Sequence, residues 1–218
     1  MYNGITIHTT KAKHHEIIDN KYAIGFILDI EGNKIGFTGD TGWDFENNGS
    51  IAKPFIEHKP KLLIAHLGSI KSSEFKYVEA KNNDERNQCF YTHHLGLLGM
   101  AKLLDSTKPD LTIISEFGEE LRNFRKDIVG GIGDVLKLKC LPGDIGLHIR
   151  LKDLAIYCFI DKKFIDFNQI GVYDKQGEPN ISFHKEELNH EKFNTALERK
   201  NRMRAVPLSD RISGDPNN

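Results

Sequence analysis

Two short, unbroken apolar runs restrict the fold more than any other feature of this chain: KLLIAHL at residues 61–67 and DLTIISEF at 110–117. A run that is apolar at consecutive rather than alternate positions belongs to a strand covered on both faces. Between the two, LGLLGMAKLLDS (95–106) has helical spacing and stops before Pro109, as a helix should. After the second run, EELRNFRKDIVGGI (119–132) reads as an amphipathic helix with a glycine-rich end. Strands and helices therefore alternate from about residue 55 to 135, which predicts an α/β protein: a sheet with helices packed on it.

The flanking segments add strands. GITIHTT (4–10) alternates and is β-branched, as a half-buried strand is. YAIGFILDI (22–30), the turn EGNK and IGFTG (35–39) read as a hairpin. VLKLKCLPGDIGLHIRL (135–151) suggests two short strands around a Pro-Gly turn, with Asp144 a turn residue. Beyond it, LAIYCFI and FIDFNQIGVY can form strands, and from about residue 178 the chain turns polar. There ERKNRMRAVPLSDRISGDPNN reads as a helix with a solvated basic face, followed by a loose tail. At 218 residues the chain suits one domain with an appendage: residues 1–150, then a C-terminal extension and tail over 151–218. The tripeptide HLG at 66–68 recurs at 94–96, which is too short to mark an internal repeat.

A formal net charge of -1 argues against generic electrostatic attachment to nucleic acid or membrane, while leaving room for a local basic groove. Cys89, Cys140 and Cys158 are odd in number and lack CxxC spacing, so they fit reduced core thiols in a cytosolic protein. No stretch reaches the ~18 apolar residues of a membrane-spanning helix. The N-terminus has no apolar signal core, and a cytoplasmic location is expected.

The chemistry concentrates around KIGFTGDTGW (34–43), where a buried strand ends by presenting Asp40 between Gly39 and Gly42. One reading is a hairpin turn. The other is a metal ligand held at a strand tip. Histidines favour the second reading: His14, His15, His66, His93 and His94 all sit near element ends. Imidazole and carboxylate are ligands for zinc, manganese and iron, and an aspartate can bridge two ions through its two oxygens. Ligands at strand tips are held by the sheet, so such a site is preorganised.

AKHHEIIDNKYAIGFILDIEGNKIGFTGDTGW (12–43) resembles the middle of a metallo-β-lactamase-fold hydrolase. There a histidine precedes a hairpin that leads into a Ser/Thr-Gly-Asp-Thr segment. KLLIAHLGS and HHLGLLGMAKLLDSTKPDLTIISEFGEEL follow in family order, with a strand lead-in like that of the RNase J group. The resemblance covers roughly residues 1–150. It implies Asp40 as a bridging ligand, His14 as the preceding ligand with His15 as the alternative register, and Glu116 where a metal-binding histidine usually stands. It also implies His94, or its neighbour His93, as the residue that contacts the substrate phosphate or protonates the leaving group. His66 and Trp43 are expected to line the substrate cleft, although a lone Trp also suits packing. Ser115, Glu119 and Glu120 equally suit the start of a helix. Cys89 lies near His93 and His94, but no oxyanion-hole pattern accompanies it.

The His-X-His-X-Asp-His motif of the family is absent upstream of Asp40. The resemblance therefore implies half of an αβ/βα sandwich, with a mixed sheet covered by helices on one face. The function implied is a metal-dependent hydrolase of phosphodiesters (RNA, DNA or a nucleotide), with two zinc ions in the complete fold and manganese or iron as alternatives. As a single chain it is incomplete, and would need a second polypeptide carrying the motif, or self-association. The alternative is a non-catalytic binding or assembly subunit, or an inactive truncated fragment.

Overall fold

The structure of the protein, a computed structural model, describes residues 4–14, 23–43, 50–121, 124–143, 147–158 and 162–167. His15 and the polar segment after residue 178 lie outside the described residues. The main sheet has six strands in the order β1 (Ile5–Lys11), β2 (Ile24–Ile30), β3 (Asn33–Phe37), β4 (Leu62–Gly68), β5 (Leu111–Phe117) and β6 (Cys140–Pro142). The first three are antiparallel neighbours; β3 to β6 run parallel. The helices are α1 (Lys53–His58), α2 (Asn83–Cys89), α3 (Gly96–Thr107) and α4 (Arg125–Leu136).

The hairpin between β2 and β3 is tighter than the sequence suggests. Glu31 (φ 52°) and Gly32 (φ 82°) both take positive φ, as a two-residue turn that matches strand twist requires, and β3 starts at Asn33. One further expectation is corrected. The segment 119–132 is not one helix: a 3-10 turn at Glu119–Leu121 precedes α4, which runs past its glycines to Leu136. Val129 and Ile132 are buried under it, so packing outweighs the low helix propensity of glycine. The two short strands expected around the Pro-Gly turn are present, in different sheets. β6 joins the main sheet, whereas β7 (Ile149–Arg150) belongs to a second sheet with β8 (Ala155–Cys158) and β9 (Lys163–Ile165).

The two faces of the main sheet bury different clusters. Ile27, Leu63, Ala65, Leu67 and Ile114 point towards the helices, packing with Phe55, Met100, Leu103, Leu104 and Val129. On the opposite face Ile35, Leu62, Leu111, Ile113 and Leu141 pack with Ile156 of the second sheet and with Leu154, Ile165 and Phe167 beside it. Helices thus cover one face, as expected, and residues beyond 150 cover part of the other. Towards β1 and β2, Ile7 (63% exposed) and Ile24 (56% exposed) share that second face without cover among the described residues.

Candidate metal centre

The site forms where the parallel strands end. Past β3, the Thr38 backbone N–H donates to the carbonyl of Ile64, continuing the ladder for one residue, and the His66 N–H donates to Thr38 Oγ1. Gly39 then turns the chain with φ 64°. A Cβ there would lie 2.3 Å from the Ile24 carbonyl oxygen, so only glycine fits the turn that projects Asp40 outward.

The next two residues pull in the other participants. Thr41 Oγ1 accepts from the Lys13 N–H at 2.7 Å, and the Gly42 N–H donates to the Lys13 carbonyl at 2.6 Å, which fixes His14 beside Asp40. Gly42 also lies so close to Thr92 that a Cβ would overlap its carbonyl. That contact draws the 91–94 segment against the strand tip and delivers His94. The Gly-Asp-Thr-Gly segment is therefore a clamp: Asp40 is its product, and Thr41 and Gly42 gather the histidines.

His14 Nε2 lies 2.8 Å from Asp40 Oδ2, and His94 Nδ1 lies 2.8 Å from Asp40 Oδ1. The two rings meet edge to face, 5.6 Å between centroids. One ligand atom from each of the three residues falls within 4.8 Å of the others. All three side chains keep between a fifth and a third of their surface exposed, so the cluster is held yet open to solvent. His14 Nδ1 is buried without a hydrogen-bond partner among the described residues. Two imidazoles and a carboxylate with both oxygens engaged suit zinc or a comparable divalent ion.

His94 is further seated by its surroundings. The Tyr91 ring packs edge-on against it at 5.2 Å. Gly68, with φ 69°, lies directly behind it: a Cβ there would come within 2.3 Å of His94 Cγ. Just downstream, α3 has no side-chain cap of its own. Glu74 provides one from a distance, accepting from the Leu98 N–H and the Lys71 N–H, each at 2.9 Å. Burial pushes the Glu74 carboxyl above the usual carboxylate range, an effect the backbone donors oppose. Glu74 was not legible as a functional residue, because a cap reached from a separate loop leaves no spacing signal.

The other expected site residues fall elsewhere. Glu116, expected as a third ligand, does not join the cluster. It is the last residue but one of β5, with φ 52°, and its Oε2 lies 2.5 Å from His66 Nδ1. The approach is at ion-pair distance but not aligned as a hydrogen bond. His66 faces this acid at the strand end. His93 packs its ring edge-on against Tyr91 and is not one of the three clustered residues. Trp43, expected at the cleft wall, is only 8% exposed and stacks on Phe90 in the helix-side core. Glu120 accepts from the Ser69 hydroxyl, which holds its carboxyl below the usual range, with a smaller contribution from His94.

No protein-family model matches the sequence, and no curated protein matches it. The chain is similar to the metallo-β-lactamase-fold protein YhfI from Bacillus subtilis, at 10% identity over 66% of this chain and 48% of that one, with a TM-score of 0.43. It is also similar to a protein provisionally described as a metal-dependent hydrolase from Parabacteroides distasonis, at 15% identity over 65% of this chain and 51% of that one, with a TM-score of 0.36. The chain thus spans about half the length of these solved structures. No helix among the described residues is long and apolar enough to cross a membrane.

Proposed function

We propose that this chain is a metal-dependent hydrolase of phosphodiesters, built as the C-terminal half of a metallo-β-lactamase-type fold and completed by a partner. One observation carries the reading: His14, Asp40 and His94, distant in sequence, converge at strand ends with both Asp40 oxygens engaged. A bound zinc, or manganese or iron in its place, would supply Lewis-acid polarisation of the phosphoryl oxygen and activation of water. Asp40, His14 and His94 would hold it. Asp40 presents one oxygen to each histidine, the disposition that suits a bridging carboxylate. His66 and Glu116, paired at the neighbouring strand ends, are assigned to proton transfer at the leaving oxygen. Three ligands are too few for a two-ion site. The remainder is assigned to a second polypeptide carrying His-X-His-X-Asp-His, or to a second copy of the chain.

The test is zinc titration by calorimetry, with a fluorogenic phosphodiester assay run beside it. The isolated wild type is expected to bind zinc and to turn over little substrate. Adding a chain that carries the missing motif should restore turnover, and Asp40→Ala should remove both binding and the restored activity. Zinc binding unchanged in Asp40→Ala would end the reading. The exposed Ile7 and Ile24 favour a second reading, a non-catalytic assembly subunit. It predicts partner binding that survives Asp40→Ala without any turnover.

A further inference from the structure

At the pole of the sheet opposite the metal centre, where β4, β5 and β6 begin, the chain gathers lysines. Lys61, Lys139 and Lys152 line a concavity of about 420 Å³ between the two sheets. A second concavity of about 340 Å³ adjoins it, and Lys59 and Lys108 line it together with Lys61. Lys61 and Asp110 belong to both, so the two form one continuous groove. Among the described residues none of these five lysines has a carboxylate within ion-pair distance. Lys61 Nζ instead donates to Asn33 Oδ1 and to the carbonyl of Lys152, and Lys139 lies over the Phe167 ring. Of the three acids in the groove, Asp153 is already engaged by a two-pronged contact with Arg150. The groove therefore carries an excess of positive charge on a chain whose net charge is -1.

A cation near a helix C-terminus is favoured by the helix dipole, which accounts for a lysine at the ends of α1 and α3. It does not account for where these lysines stand. Lys59 (φ 49°), Lys108 (φ 44°) and Lys137 (φ 57°) each end a helix in the left-handed conformation, the position glycine normally takes. Nor does it account for Lys61, Lys139 and Lys152, which are not at helix ends.

From this placement we infer that the groove binds the phosphate backbone of a nucleic-acid strand, at a surface separate from the metal centre. Compact, hydrated ammonium groups along an open groove suit sequence-independent contact with successive phosphates. The inference rests on the phosphodiester reading only in choosing nucleic acid among polyanions.

The experiment is fluorescence anisotropy with a labelled oligouridine of about 20 nucleotides, in about 50 to 200 mM salt. The wild type is expected to bind, with an affinity that falls steeply as salt rises. Lys59, Lys108 and Lys152 are all exposed, so replacing them should leave the fold intact by circular dichroism. The triple lysine-to-alanine variant should bind about tenfold more weakly, with a salt slope smaller by roughly 2. The triple lysine-to-arginine variant should keep wild-type binding, and so should Asp40→Ala. Oligonucleotide binding by the wild type with no turnover, even beside a chain that carries the missing motif, would sink the hydrolase reading and leave this one standing. Absence of oligonucleotide binding, an alanine variant that matches the wild type, or capture by phosphatidylserine vesicles in place of the oligonucleotide would overturn the inference. So would loss of binding in Asp40→Ala alone.

Discussion

Gly68→Ala tests whether the sheet itself seats His94. The new Cβ would lie 2.3 Å from His94 Cγ, 2.4 Å from its Cβ and 2.6 Å from Nδ1. Carbon atoms in contact prefer about 3.5 to 4.0 Å, so the ring must retreat by more than ~1 Å. Its 2.8 Å contact with Asp40 then passes beyond hydrogen-bond reach. Losing a hydrogen bond to a charged group costs about 1.5–3 kcal/mol, and partial exposure of the pair places this one at the low end. Holding alanine at φ 69° adds roughly 1–2 kcal/mol. Removing a glycine from the unfolded chain returns about 0.4–1 kcal/mol. The net loss is about 2–3 kcal/mol, or roughly 5–10 °C in the midpoint of a thermal melt for a chain of this size. Gly32→Ala is the control. Gly32 has φ 82° with nothing within 4 Å of a new Cβ, so that variant suffers backbone strain alone. Thermal melts followed by circular dichroism give the stabilities, and calorimetry gives zinc affinity. Gly68→Ala should weaken zinc binding by about tenfold or more, as loss of a positioning contact does, and Gly32→Ala should leave it unchanged. Equal melting shifts in the two variants, with zinc affinity intact in both, would show that Gly68 does not hold His94.

Glu74→Ala should destabilise the protein by about 2 kcal/mol, because the Lys71 and Leu98 N–H groups lose their buried acceptor; urea titration measures it. The sign of its pH dependence also follows. A carboxyl raised in the folded state holds its proton to higher pH than in the unfolded state, so its contribution is greatest below about pH 4.5 and declines as pH rises through the folded value. Wild type should therefore lose stability over that window relative to Glu74→Gln, and parallel curves would refute it. Burial pushes the Cys140 thiol up to about 11, so at pH 8 it should react with a disulfide reagent only after denaturant is added. Asp153 is held down at about 2 by the Arg150 guanidinium, so its NMR titration should move towards 3.8 in Arg150→Ala.

The strands and the Asp40 site were legible in the sequence for different reasons. Strands β4 and β5 stood out because burial on both faces leaves an unbroken apolar run, a signal local to the chain. The meeting of His14 with Asp40 was suggested by resemblance and by the flanking glycines. The mechanism that achieves it, Thr41 and Gly42 gripping Lys13 and Thr92, depends on contacts between segments far apart in sequence and carries no periodicity. The same limit explains Glu116. The path of β4 beside β5, with His66 opposite Ser115, sets the Glu116 side chain against His66, a placement that spacing along the chain does not reveal. The strands of the second sheet were suggested by LAIYCFI and by the stretch around the Pro-Gly turn, but their pairing into a sheet of their own was not, because strands of two to four residues carry no register signal and their burial comes from the face they land on. The lysine groove lay in plain view as KPK, KPD and KLK before three successive strands. Each looked like an ordinary helix-to-strand junction until parallel pairing brought β4, β5 and β6 side by side and set the junctions along one edge. Parallel strands put all their entries at one pole and all their exits at the other. In this chain the exits hold the acid and the imidazoles and the entries hold the ammonium groups, so the topology that builds the candidate metal centre also builds the groove.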